Sequence, residues 1–265
     1  MQKRNCPIGV FDSGLGGLTV LKELMRQLPC EDLIYFGDTA RVPYGTKSKE
    51  SIIQFSKENA AILFRYGVKM IVVACNSSSS YAIEILKKKF PVPVVGVICP
   101  GAKRAIEMTK NKKIGVIATS ATINSGKYEK AIYKIDSKVK VFNQACPLFV
   151  PLVEEGWFEK KVTVDIASEY LSGLKRRGVD VVILGCTHYP LLKKAIQKVL
   201  GEKIILVDSA KKIAEEVKGI LSNSDLIRNQ NRRGKQKFLI SDKPQAFNEI
   251  AKKFLGREIK GVKYV

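Results

Sequence analysis

Short runs rich in β-branched residues alternate with amphipathic segments along most of this 265-residue chain, and that alternation restricts the possible folds more than any other feature. Strands are expected at 8–11, 33–37, 70–74, 94–97, 114–118, 139–143, 181–184 and 204–207. Helical periodicity fits 16–28, 49–66, 78–90, 101–110, 124–134, 162–177, 190–200 and 209–221. Parallel strands need a long crossover between them, and a helix supplies it. Strand and helix taking turns therefore predicts mainly parallel sheets flanked by helices on both faces.

A second level of order is an internal repeat. Pro7-Ile8-Gly9-Val10-Phe11-Asp12-Ser13 resembles Lys113-Ile114-Gly115-Val116-Ile117-Ala118-Thr119 at an offset of 106. At that offset Tyr35-Phe36 falls on Val141-Phe142, and Ala40 falls on Cys146. Val72-Val73-Ala74-Cys75-Asn76 resembles Ile183-Leu184-Gly185-Cys186-Thr187 at an offset of 111. One such match means little, because apolar strands look alike; several in the same order predict two similar α/β domains. The boundaries expected are 1–97 plus 208–265 for the first and 98–207 for the second, with the active site in the cleft between them. The tail, with a polar loop at 223–237, a strand at 238–241 and a helix at 244–255, has no partner in the repeat and is assigned to the first domain.

The chain is long enough to bury a core without staples, and 45% of its residues are apolar. No segment approaches the roughly 18 consecutive apolar residues of a membrane span. The opening Met1-Gln2-Lys3-Arg4-Asn5-Cys6-Pro7 leads straight into a strand, with no secretory apolar region, so a cytoplasmic protein is expected. A formal charge of +21 invites a nucleic-acid partner. The excess is spread evenly, at +5, +8 and +8 over 1–95, 96–210 and 211–265, which argues against that as the main function. Runs such as Lys87-Lys88-Lys89, Lys175-Arg176-Arg177 and Lys193-Lys194 read as solvated helix ends. The six cysteines form no C-x-x-C pair and His188 is the only histidine, so neither a zinc site nor a disulfide framework is expected.

In open α/β sheets, functional atoms gather beyond the carboxyl ends of the strands. Asp12 to Gly17, Cys75 to Ser79, Thr119 to Thr122 and Cys186 to Pro190 all fall there. Each alone is weak. The glycines fit neither a dinucleotide fingerprint nor a P-loop, serines after a strand are commonly helix caps, and a lone cysteine is commonly a small buried hydrophobe. Cys75 and Cys186, however, occupy equivalent positions in the two repeats, each at a strand end and a helix start. That location is expected to lower a thiol's pKa toward neutrality, and two such thiols across a cleft can reach opposite faces of one carbon.

Several longer motifs carry a specific resemblance: Phe11-Asp12-Ser13-Gly14-Leu15-Gly16-Gly17, Gly37-Asp38-Thr39-Ala40-Arg41-Val42-Pro43-Tyr44-Gly45, Ala74-Cys75-Asn76, Gln144-Ala145-Cys146-Pro147-Leu148-Phe149-Val150-Pro151 and Gly185-Cys186-Thr187-His188-Tyr189-Pro190. In this order, over residues 7 to about 210, the chain resembles the glutamate racemases of the wider aspartate/glutamate racemase superfamily. The resemblance implies that Cys75 and Cys186 are the catalytic pair. It implies substrate contacts from Asp12, Ser13, Tyr44, Gly45, Asn76, Ser77, Thr187 and His188, to which Thr119 and Thr122 are added as candidates. It also implies D-glutamate supplied for peptidoglycan. There are two departures. Ser77 stands where the family usually has Thr, keeping the hydroxyl and losing a methyl, and Cys99 stands where the family often has Glu.

Racemisation removes a weakly acidic Cα proton and returns one to the opposite face, which suits two groups rather than one. From the resemblance, Cys75 acts on D-glutamate and Cys186 on L-glutamate. His188 is a candidate to assist Cys186, Asp12 to assist Cys75, and Glu154 is a third candidate; the bland reading of His188 is a hydrogen-bonded buried side chain. Ser13, Asn76, Ser77, Thr187 and nearby N–H groups can hold the developing negative charge. No pyridoxal-phosphate lysine motif or metal cluster is present, so no cofactor is expected. Cys146 lacks a strand-end partner and reads as structural, and Cys6, Cys30 and Cys99 read as bland. The expected assembly is a homodimer acting on free glutamate. The competing readings are a racemase of aspartate or another amino acid, and a basic DNA- or partner-binding protein; a thiol–disulfide oxidoreductase is disfavoured by the missing C-x-x-C.

Overall fold

Two parallel sheets carry the chain in a computed structural model that describes residues 3–230, 232–243 and 247–265. The first sheet contains β1 (Ile8–Asp12), β2 (Leu33–Gly37), β3 (Met70–Val73) and β4 (Val94–Gly96). The second contains β5 (Lys113–Ala118), β6 (Lys140–Ala145), β7 (Val181–Gly185) and β8 (Ile205–Val207). From the tail, β9 (Gln236–Ile240) pairs with β2 and β10 (Val262–Tyr264) pairs with β9. The spatial orders are β10-β9-β2-β1-β3-β4 and β6-β5-β7-β8, and every pairing is parallel. The repeat seen in the sequence is thus a repeat of topology. In each half the chain starts in a central strand, adds one neighbour, then crosses back to the other side. That reversal opens a crevice at the carboxyl ends of β1 and β3, and again at those of β5 and β7.

Alternation along the strands explains why both faces of each sheet are covered. In β3, Met70 and Val72 join one apolar cluster while Ile71 and Val73 join another. In β7, Val182 and Leu184 share the cluster that contains Met70 and Val72, and Val181 and Ile183 face a third. A strand buried on both faces must read as an unbroken apolar run, as these do. Helix Ala210–Asn223 packs on helix Leu18–Gln27, and the tail helix Phe247–Leu255 packs beside it. Deeper down, Lys69 pairs with Glu31 at 2.6 Å, both nearly inaccessible. The Lys69 ammonium also donates to the carbonyls of Arg4 and Leu226, tying the N-terminal turn and the tail to the first sheet.

Where expectation and structure differ, the reasons are local. The helix expected at 78–90 is two, Asn76–Tyr81 and Ile83–Lys89, meeting at Ala82. The one expected at 124–134 is Lys127–Ile135, starting after Gly126, whose φ of 62° is left-handed, and a short helix not expected, Ser120–Asn124, precedes it. Helix Phe149–Glu154 and strand β10 were not expected at all: the first carries an internal Pro151, and the second is three residues at a sheet edge. Residues 244–246 of the expected tail helix, Asn231 of the expected loop, and Met1 and Gln2 lie outside the described residues. Among the described residues, no helix is long and apolar enough to cross a membrane.

Candidate active site

Both crevices open onto one small cavity. Its lining includes Ser13, Tyr44, Gly45, Cys75, Asn76, Ser77, Thr119, Cys186, Thr187 and His188, closed over by Val42, Pro43 and Val150. The four strand-end loops singled out in the sequence therefore converge, with β1 and β3 supplying one wall and β5 and β7 the other. The cavity measures about 20 Å³, room for about one water. Three further candidates stand just behind the lining. Asp12 is fully buried at the end of β1, where its carboxylate accepts from the Gly14 N–H at 3.1 Å and from the Thr187 hydroxyl at 3.4 Å. Thr122 supports the hydroxyls of Ser77 and Thr119, at 3.3 and 3.1 Å. Glu154 stands behind His188.

Cys75 lies two residues past the end of β3 and is the N-cap of helix Asn76–Tyr81. Its thiol lies 3.6 Å from the Ser13 hydroxyl and is 5% exposed. The expected lowering of its pKa does not occur here. Burial pushes the thiol up to about 11, and the neighbouring Asp12 carboxylate adds to the rise. The N–H and hydroxyl of Ser78 and the Ser13 hydroxyl oppose it and lose. A helix of six residues offers too few aligned peptides to offset desolvation. Burial likewise raises the Asp12 carboxyl, although the His188 charge, the backbone N–H groups of Gly17 and Gly14 and the Thr187 hydroxyl favour ionisation.

The opposite wall is built around an imidazole. His188 Nδ1 lies 3.9 Å from Cys186 Sγ and Nε2 lies 2.5 Å from a Glu154 carboxylate oxygen. The edge of the ring meets Phe254 of the tail helix, with centroids 5.4 Å apart. Burial disfavours the charged ring. The hydrogen bonds to Cys186 and Glu154 and their charges outweigh that, holding the pKa of His188 well above its ordinary value. The one histidine of the chain thus lies between a carboxylate and a thiol, both of which favour its protonated form.

The third side of the cavity is the Val42-Pro43-Tyr44-Gly45 loop. The Tyr44 hydroxyl donates to Asp38 and accepts from Asn59 at 2.9 Å. Arg41 bonds Asp38 at 2.6 Å while its guanidinium lies over the Phe55 ring, and Ser241 from the tail donates to the other Asp38 oxygen. Burial and the Asp38 carboxylate raise the pKa of Tyr44, which therefore stays protonated. Gly45 is pressed against Thr119: a Cβ there would come within 2.4 Å of the Thr119 Cβ. Ser77 keeps its hydroxyl 3.0 Å from Thr119, so loss of the family's methyl leaves this contact in place.

Asp38, Ser78 and Val150 had no individual signal in the sequence, nor did Tyr128, which bonds Asn76. Cys146 follows β6 directly, fully buried, and its carbonyl accepts from Tyr189 at 2.8 Å. Cys99 is exposed and faces a separate cavity of about 210 Å³. Among the described residues, no group of three or more His, Cys, Asp or Glu side chains is placed to hold a metal ion.

Residues 8–217 match the Asp/Glu/Hydantoin racemase family. The glutamate racemase of Geobacter metallireducens is 51% identical over 252 residues, covering 95% of this chain and 93% of that one. The crystal structure of the Francisella tularensis glutamate racemase in complex with D-glutamate superposes with a TM-score of 0.93 at 38% identity, covering 99% of this chain and 98% of that one. The Thermus thermophilus glutamate racemase, in complex with β-chloro-D-alanine, gives a TM-score of 0.87 at 45% identity, with 99% and 97% covered.

Proposed function

We propose, because this chain belongs to the Asp/Glu/Hydantoin racemase family, that Cys75 and Cys186 are the two acid/base groups of its reaction. The chain is an isomerase that interconverts L- and D-glutamate. What supports the assignment to these thiols is that two cysteines from equivalent strand ends line one cavity from opposite halves. With D-glutamate, the Cys75 thiolate removes the Cα proton and the Cys186 thiol delivers one to the other face. With L-glutamate the roles exchange. Which thiol serves which enantiomer follows from the family resemblance.

Each partner has a physical task. The hydroxyls of Ser13, Ser77 and Thr187 and the amide of Asn76 converge on the cavity, where they hold the α-carboxylate as charge builds on it. Asp12 raises the cost of a Cys75 thiolate, and a substrate ammonium placed against Asp12 removes that like-charge penalty. Proton abstraction is thereby coupled to occupancy. On the other wall the His188 ring, held by Glu154, stands 3.9 Å from Cys186 Sγ, placed to exchange a proton with that thiol. Glutamate is far larger than a cavity of about 20 Å³, so the two walls must part to admit it and close again to exclude water. The D-enantiomer is read as destined for peptidoglycan, and the cytoplasmic homodimer and absence of a cofactor stand as readings of the sequence.

Pure D- or L-glutamate incubated with the protein and no added cofactor should lose its circular dichroism as the enantiomers equalise. Retained optical activity, or turnover only after a metal or pyridoxal phosphate is added, sinks this reading. The resting state of Cys75 is checked separately. With a pKa of about 11 its thiolate amounts to roughly one part in 10⁴ at pH 7. Alkylation of Cys75 by iodoacetamide, followed peptide by peptide, should therefore climb about tenfold per pH unit from pH 7 to 10. A plateau reached near pH 8.5 would show that burial does not govern this thiol.

A further inference from the structure

Tyr128 belongs to helix Lys127–Ile135, on the β5–β8 half of the molecule, yet its hydroxyl bonds the side chain of Asn76 on the other half. The distance from the hydroxyl to Asn76 Oδ1 is 2.7 Å, and the tyrosine is 2% exposed. Two glycines make the slot for its ring. A Cβ on Gly101 would come within 3.3 Å of the hydroxyl, and one on Gly185, next to Cys186, within 3.1 Å of the ring. Burial raises the pKa of the phenol, with the thiols of Cys186 and Cys99 adding to the rise, so the O–H is retained at any working pH.

An asparagine amide is nearly symmetric in shape, and its two ends differ only in what they offer: the oxygen accepts and the nitrogen donates. A site that receives a carboxylate needs the nitrogen end. The Tyr128 O–H, from a residue that does not line the cavity, occupies Oδ1, which leaves the NH₂ group as the end of the amide free for the cavity. The opposite orientation would leave a carbonyl facing the substrate anion. We propose that Tyr128 is a positioning residue that orients the Asn76 amide toward the α-carboxylate of glutamate. Because the bond spans the two halves, it is complete only while they are closed. The donor is therefore aimed when the cavity has shut around the substrate, and released when the cavity opens. This inference rests on the placement of Asn76 against the substrate under the proposed function.

The test is a double-mutant cycle in the full-length protein, with KM, kcat and the melting temperature measured for Tyr128→Phe, Asn76→Ala and the pair. Tyr128→Phe keeps the ring in its slot and removes only the donor. It should raise KM for glutamate about fivefold to tenfold, the worth of one hydrogen bond, with a smaller change in kcat. Added to Asn76→Ala it should cost less than a further twofold, because nothing remains to orient. A merely structural tyrosine would lower the melting temperature and multiply its loss onto that of Asn76→Ala, and that result overturns the proposal. So does a Tyr128→Phe variant with KM within twofold of the wild type while Asn76→Ala is impaired. If Asn76→Ala itself keeps wild-type KM and kcat, the placement of Asn76 falls, and this inference with it.

Discussion

Replacing either Cys75 or Cys186 with alanine should lower glutamate racemisation at least about 10³-fold, while the protein still folds. Acid/base groups in the transition state are commonly worth about 10² to 10⁴ in rate, and each thiol is the only acid/base group proposed for its face of Cα. Structural damage should be slight. Cys75 makes one side-chain hydrogen bond, at 3.6 Å, and contributes no side-chain cap to its helix. Cys146 is a demanding control, because it too is buried at a strand end. Cys146→Ala should change stability more than turnover. Racemisation and melting temperature of the three variants decide the matter, and near-normal turnover by Cys75→Ala or Cys186→Ala would remove the two-thiol mechanism.

A loss of at least about 10²-fold is expected from one methyl group at Gly16. A Cβ there would come within 2.3 Å of the Thr187 hydroxyl and 2.8 Å of His188 Nδ1, distances that real Cβ atoms do not tolerate. The Asp12–Gly17 loop and the Cys186–Pro190 loop would have to separate. That breaks the 3.4 Å contact between Thr187 and Asp12 and moves the imidazole that stands 3.9 Å from Cys186. A displacement of about 1 Å in reacting groups can cost about 10²-fold, so Gly16→Ala should lower kcat/KM by at least that factor. Gly219→Ala is the matched control. It lies within helix Ala210–Asn223 with nothing inside 4 Å of the added carbon, and should stabilise the protein by up to about 1 kcal/mol. A Gly16→Ala variant within threefold of wild-type kcat/KM would mean that the two loops do not meet this closely.

Periodicity and repeat made the two parallel sheets legible because strands buried on both faces must be written as apolar runs, as Met70–Val73 and Val181–Gly185 are. The same repeat brought Cys75 and Cys186 to equivalent strand ends. Three things were beyond such reading. Interruptions at Ala82 and Gly126 depend on how short helices pack, which periodicity does not encode. The protonation of Cys75 depends on how deeply the closed walls bury it and on Asp12, a neighbour 63 positions away, so a rule about helix starts points in the wrong direction. Tyr128 touches the cavity only through its hydrogen bond to Asn76, and a residue that reaches a site through another side chain leaves no motif of its own.

Steady-state racemisation cannot assign a thiol to a face, because the equilibrium constant between enantiomers is one and kcat/KM must fall equally in both directions for any variant. Elimination from a β-chloro analogue of glutamate has no such constraint: one base removes the Cα proton, chloride leaves Cβ, and no second thiol is required. Serine keeps the size of cysteine but barely ionises, so Cys75→Ser and Cys186→Ser each retain a single working base. Chloride release should then be measured for each variant with each enantiomer of the analogue. Cys75→Ser should release chloride from the L-analogue and not from the D-analogue, and Cys186→Ser should do the reverse. Equal loss with both enantiomers in both variants would contradict the assignment of one thiol to each face of the substrate.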